Sequence, residues 1–171
     1  MTTMLEAALV YASRGVRVFP CHWPIRGGKC SCSDPECSSP GKHPRTEHGF
    51  LDATTDEDRI REWWSSAPHA NIATPTGTTD GFDVLDVDPR NGGEESLQAL
   101  RELGELPMTL ITRTGGDGLH DYFQAAHRGL SSRPFLPGLD WKTMGGYVLL
   151  PPSRHVSGKT YRWDNGVELG A

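Results

Sequence analysis

Asp86 and Asp88 close the run FDVLDVDPRNGG, Phe82 to Gly93, which otherwise reads as a buried strand. Side chains two apart share a strand face, so both carboxylates point the same way, with Phe82 and Val84 behind them. Two close carboxylates repel, and each is costly at the edge of a core. A divalent cation removes that cost. Magnesium and manganese take oxygen ligands, typically one or two carboxylates together with substrate phosphates. Further on, TRTGGDGLHDYF sets three glycines, Gly116 among them, before His120. Glycine lets backbone amides approach an anion closely and form a concave nest. His120, Tyr122 and Gln124 would share one strand face. In PGLDWKTMGGY, Asp140 follows a glycine turn and Lys142 lies two residues on. A third carboxylate can complete a two-metal site, and a lysine can meet a phosphate as a point charge.

A second constellation has softer ligands. Cys30, Cys32, Cys37 and His43 give C-x-C-x4-C-x5-H. Three thiolates and an imidazole this close together can close a tetrahedral zinc site. Gly28, Pro35, Pro40 and Gly41 supply the turns, and zinc would order a stretch too poor in apolar residues to fold alone. Cys21 and His22, just upstream, compete as ligands. All four cysteines fall between residues 21 and 37. Disulfide frameworks spread their cysteines, whereas a local cluster reads as a metal site, so a reducing, cytoplasmic setting is expected.

The elements that must position these groups are legible in outline. TTMLEAALVYASRG has a Thr cap, a spaced apolar face and Gly15 as a stop, hence a helix; VRVF, Val16 to Phe19, alternates like a strand. Pro20 to Pro44 has no periodicity. TDEDRIREWW predicts a helix with a capping box at Thr55 and Asp58. Its Trp63 and Trp64 can stack on bases, but at least one is expected in the core. NIAT and FDVLDVD are strands, Leu97, Leu100 and Leu103 mark a helix ended by Gly104, and TLITR, LHDYFQA and GYVLL are strands. HVSGKTYRW predicts a hairpin about Ser157-Gly158. The fold class is α+β, and one domain is expected over 1–171 with an insert at about 21–44.

Bulk properties exclude little. Of the 171 residues 36% are hydrophobic and 23% charged, as in ordinary globular proteins, and 20 Gly with 13 Pro promise many turns. No apolar run is long enough to span a bilayer, and the first residues lack a signal-peptide pattern. The net charge of −5 argues against coating nucleic acid non-specifically but permits a local basic groove. Arg113, Arg133, Lys142, Arg154, Lys159 and Arg162 could line one, although each alone reads as solvated surface. TPTGTTDG lacks the lysine of a Walker motif.

The ordered set GKHP, WW, ANIATPTG, VLDVDPRNGG, GGDGLH, GLDWKTMGGYVLLPPS and SGKTYRW resembles the bifunctional primase–polymerase (Prim-Pol) domain of the archaeo-eukaryotic primase superfamily. The resemblance spans nearly the whole chain. It implies an α/β N-terminal lobe with a zinc-binding insert packed on an RRM-like β-rich lobe, with the active site between them. It implies Asp86, Asp88 and Asp140 as catalytic ligands of Mg2+ or Mn2+, and His120 as a contact to the triphosphate of the incoming nucleotide. Lys142, Thr114, Gly116 and Ser153 are further nucleotide contacts by the same resemblance. The resemblance agrees with Cys30, Cys32, Cys37 and His43 as ligands of a structural Zn2+. The implied activity is DNA priming and extension within a replication protein of a phage, plasmid or integrated element. The implied partners are a single-stranded DNA template, primer and NTP or dNTP, with a helicase domain or partner. Two readings compete: a nucleic-acid-binding module that has lost catalysis, and a two-metal phosphohydrolase using the same carboxylates.

Overall fold

The Thr3 hydroxyl accepts the Glu6 amide while the Glu6 carboxylate accepts the Thr3 amide, a closed capping box that starts α1, Met4–Ser13. Gly15 leaves the helix at a φ of +80°. The computed structural model describes residues 2–79, 81–104, 106–107, 109–126 and 131–164. Within them the chain is α+β, with three α-helices and two antiparallel sheets.

The smaller sheet has the order β1-β2-β8, from β1 (Phe19–Cys21), β2 (Asn71–Pro75) and β8 (Tyr147–Leu150). Strand β1 starts later than VRVF suggests: Val18 makes only an isolated bridge to Thr54. Helix α2, Glu57–Ser66, is capped by Asp56, whose carboxylate accepts the Asp58 and Arg59 amides; this replaces the expected Thr55 box. Trp64 is buried and donates from Nε1 to the Ala70 carbonyl, whereas Trp63 is half-buried with Arg59 over its ring. Helices α1 and α2 cover this sheet through Ala8, Tyr11, Ile60 and Trp64, over Ile72, Val148 and Leu150. Val84 and Tyr122 of the larger sheet join the same cluster, so one core serves both sheets.

The larger sheet runs β6-β7-β3-β5-β4-β9. Its strands are β3 (Phe82–Val87), β4 (Leu110–Arg113), β5 (Leu119–Gln124), β6 (Arg133–Leu136), β7 (Leu139–Lys142) and β9 (Arg162–Trp163). Helix α3, Gly93–Glu102, links β3 to β4, and β5 lies between them, a split β-α-β unit. Leu97 and Leu100 pack on Leu85, Val87 and Leu139. Leu103, expected on that face, lies at the helix end and is exposed. The β6–β7 hairpin is not evident in RPFLPGLD because its prolines read as loop; β6 is an exposed edge strand, where proline is tolerated. Its Pro137-Gly138 turn touches the end of β3: the Asp88 amide donates to the Gly138 carbonyl, and the Gly93 amide to the Asp88 carbonyl.

A methyl at Gly138 (φ +67°) would stand 2.3 Å from the Gly93 nitrogen and 2.7 Å from the Asp88 carbonyl oxygen. We expect Gly138→Ala to cost about 2–3 kcal/mol. An unchanged urea midpoint would contradict this account of the turn.

Candidate active site and zinc centre

Antiparallel register aligns the acidic residues. Asp86 faces Asp140 of β7 on one side and His120 of β5 on the other. Asp140, Asp86, His120 and Thr112 thus form one row across the sheet face opposite α3. Asp88, just past β3, lies beyond the row. All three aspartates line one cavity of about 550 Å³, with Thr114, Gly116, His120 and Phe135. A second cavity of about 450 Å³ shares the walls Lys42, Asp86, His120 and Tyr161 and is bounded also by Lys142. The two form one cleft.

Charge compensation is visible group by group. Lys142 Nζ donates to Asp140 Oδ2 at 2.9 Å and lies 3.9 Å from Asp86 Oδ2. Arg90 grips Asp88 with Nε, Nη2 and its backbone amide, each at 3.0 Å, and Asn91 Nδ2 adds a fourth donor at 2.9 Å. The Arg90 guanidinium holds the Asp88 carboxyl below its ordinary range. The donor set is oxygen-only and opens on a cavity, which fits magnesium or manganese. Among the described residues, however, the three carboxylates do not close to common-ligand distance; Lys142 and Arg90 take the counter-charge role.

His120 is buried, with Nε2 3.6 Å from Asp86 Oδ1 and Nδ1 lacking a hydrogen-bond partner. Burial pushes its pKa below 6.5 even though Asp86 opposes the shift. The glycine loop folds on itself: the Gly118 amide donates to Thr114 Oγ1 at 3.0 Å and the Thr114 amide to the Gly118 carbonyl. It docks on the 155–159 turn, where Ser157 Oγ donates to the Gly115 carbonyl and Lys159 pairs with Asp117.

Sequence reasoning placed Asp86, Asp88, Asp140, His120, Lys142, Thr114 and Gly116 at a site, and the fold gathers all seven around this cleft. The fold does not bring Ser153 there. It is fully buried, and its hydroxyl accepts the Ile72 amide and donates to the Ile72 carbonyl, fastening the Pro151-Pro152 turn to β2. Arg113 is engaged by Asp164. Asp121, next to His120, points to the opposite face and is buried against Arg101. Lys42, Arg90, His155, Tyr161 and the β6 edge were missed. The glycine loop hinted only at His155: Gly115 has no room for a Cβ because His155 Cβ would stand 2.1 Å from it.

The cysteine constellation closes on itself. Ligand atoms of Cys30, Cys32, Cys37 and His43 all lie within 4.8 Å of one another. Atoms bound to one zinc at about 2.0–2.3 Å can stand no farther apart than roughly that, so the cluster is compatible with a structural zinc. His43 Nε2 lies 3.3 Å from Cys30 Sγ and 3.6 Å from Cys37 Sγ. Burial pushes the Cys30 thiol up, but the amides of Cys32 and Gly41 and the His43 ring outweigh it, bringing the group down to about 7. The rival ligands have other work. Cys21 is buried in β1 among Phe19 and Ala73. His22 stacks on His43 with ring centroids 4.4 Å apart and holds Ser31 Oγ at 2.8 Å from Nδ1.

A family model described as bifunctional DNA primase/polymerase, N-terminal, matches residues 8–170. No curated protein matches the chain. No helix among the described residues is long and apolar enough to cross a membrane.

Two outcomes follow from the site. Because folding lowers the His120 pKa, the unfolded chain binds more protons between that lowered value and pH 6.5. The stability tied to a neutral His120 is complete above 6.5 and is lost as pH falls through the native value. His120→Asn should flatten the decline of unfolding free energy between pH 7 and 5, measured by urea titration at each pH; an unaltered decline would refute it. Elemental analysis of protein purified without chelator should find about one zinc per chain, and Cys37→Ser should lose it. A zinc-free wild type would remove the centre.

Proposed function

This chain belongs to the bifunctional DNA primase/polymerase N-terminal family, and we propose that it is a template-directed nucleotidyltransferase that primes and extends DNA for a replication system. The observation that carries the reading is the row Asp140–Asp86–His120 across β7, β3 and β5, with Asp88 just past the end of β3 and one cavity before all four. The β-α-β split around β5 supports an RRM-like lobe, and the α1/α2-covered sheet supports the α/β lobe of an archaeo-eukaryotic primase-type core.

In this reading a primer 3′-oxygen attacks the α-phosphorus of a nucleoside triphosphate. The bond from that phosphorus to the bridging oxygen breaks, and pyrophosphate leaves. Asp86, Asp88 and Asp140 would hold Mg2+ or Mn2+. Such ions, when bound, lower the pKa of the attacking hydroxyl and stabilise the leaving group. The protein's own residues mostly position and neutralise, as in other phosphoryl transfers. His120, neutral through burial, can donate one N–H toward a phosphate oxygen without repelling a nearby ion. Lys142 stands between two carboxylates and the second cavity and can serve phosphate as well. Thr114 and Gly116 line the first cavity. The substrates are a primed single-stranded template and dNTP or NTP.

Incubating the protein with primed template, dNTPs and manganese should elongate the primer. Degradation would indicate a phosphohydrolase, and neither outcome a binding module. Asp86→Ala and Asp88→Ala should each lower extension by at least about 100-fold with far-UV circular dichroism unchanged. Near-wild-type extension in either variant would overturn the assignment.

A further inference from the structure

Lys42 sits one residue before the zinc-cluster ligand His43, yet it lines both cavities of the catalytic cleft. Its backbone is fixed with unusual thoroughness. The carbonyl of Gly41 accepts from Asn71 Nδ2 at 2.8 Å, that of Lys42 from the Tyr147 hydroxyl at 3.0 Å, and that of His43 from the His22 amide at 2.9 Å. Three successive carbonyls are thus held by three separate parts of the fold. On either side, the Gly41 amide donates to Cys30 Sγ and the Arg45 amide to the Pro20 carbonyl. Gly41 is itself packed so closely on Pro24 that a Cβ would stand 2.6 Å from the proline ring. A loop that only wrapped a metal would not need this anchoring to β1, β2 and β8 at the one residue whose side chain enters the cleft.

The charge inventory of the cleft gives that side chain its task. Lys142 is engaged by Asp140, and Arg90 by Asp88. Among the described residues Lys42 is exposed and has no carboxylate partner. Beyond burial, its charge also disfavours protonation of His120 and His155, which both line the first cavity. An uncompensated ammonium facing a polar cavity suits an anionic ligand.

We propose that Lys42 binds the triphosphate of the incoming nucleotide, and that the zinc loop is the device that holds it in the cleft. The proposal rests on the nucleotidyl-transfer reading of the site. It assigns the loop a second role: the cluster that orders a core-poor segment also sets the position of a substrate-binding cation. The ligand class is a nucleoside triphosphate, whose polyphosphate tail offers an unpaired ammonium more anionic oxygens than a monophosphate does.

The test measures binding of a non-hydrolysable α,β-methylene deoxynucleoside triphosphate in magnesium by fluorescence competition, with the matching monophosphate as control. Lys42→Ala should weaken the triphosphate about tenfold, the worth of one charge-assisted hydrogen bond, and leave the monophosphate within twofold. Lys42→Arg should recover most of the loss. Zinc content and melting temperature should match wild type in both variants, which separates ligand contact from damage to the loop. In steady-state extension the change should fall on KM for the nucleotide rather than on kcat. Wild-type triphosphate affinity in Lys42→Ala would overturn the proposal even if the wild type extends primers. If the wild type binds triphosphate through Lys42 but never extends, the polymerase reading fails and the Lys42 site stands.

Discussion

Asp86 and Asp140 are direct neighbours on adjacent strands, and the rest of the site is organised by what that adjacency costs. Two unit charges 4 Å apart repel by about 4 kcal/mol at the effective dielectric of a protein surface. A sheet ordinarily avoids like charges directly across a pair. Here the repulsion is met by an ammonium at 2.9 Å from one carboxylate and 3.9 Å from the other. Asp88 avoids joining the crowd by turning to Arg90 and Asn91. His120, the third side chain of the row, stays neutral because burial makes its protonated form costly. A pair of acids held so deliberately against its own electrostatics fits a site built for a cation more readily than an incidental sheet edge.

The fold that imposes this register joins two sheets by crossovers set side by side. From β2 the chain passes to β3 through Thr76 and Gly77, and from β7 to β8 through Thr143 to Gly146. These crossovers are zipped together: the Thr76 amide donates to the Gly146 carbonyl at 3.0 Å and its hydroxyl to the Thr143 carbonyl at 2.7 Å. A Cβ on Gly77 would stand 2.2 Å from the Met144 nitrogen, so the two backbones could not approach this closely with a larger residue there. Lys142 lies one residue before one crossover, and Tyr147 begins β8 beyond it. The carboxylate row and the strand that anchors Lys42 are therefore held by the same short joint.

Much of this could be read in the sequence, and the failures have physical causes. The strand readings FDVLDVD, TLITR, LHDYFQA and GYVLL match β3, β4, β5 and β8, and the shared face of Asp86 with Val84 and Asp88 follows from a strand's period of two alone. The ligand spacing of Cys30, Cys32, Cys37 and His43 was enough to find the cluster, because local spacing survives folding. What spacing could not supply was partnership across the chain. Nothing local pairs Asp140 with Asp86, since 53 residues separate them and only the β7–β3 register joins them. Ser153 was a nucleotide contact by resemblance alone; burial and its two hydrogen bonds to Ile72 keep its hydroxyl out of the cleft. Lys42 was hidden by its neighbour, as a motif that explains itself as zinc ligation gives no reason to look for a second function.

Counting formal charges over the cleft shows why an unpaired lysine matters. Asp86, Asp88 and Asp140 stand against Lys42, Arg90 and Lys142, and burial keeps His120 and His155 toward their neutral forms. The described lining is thus close to balanced, although the whole chain carries −5. A balanced cleft does not repel a polyanion, yet it does not hold one strongly either. Arg90 and Lys142 each already offset a carboxylate and so add no net charge for a ligand. Lys42 can, because its position is set by backbone hydrogen bonds beside the Cys/His cluster instead of by an acidic partner. Fixing a cation through its main chain leaves its charge available, and a loop poor in apolar residues can do this because backbone hydrogen bonds to β2 and β8 hold it in place.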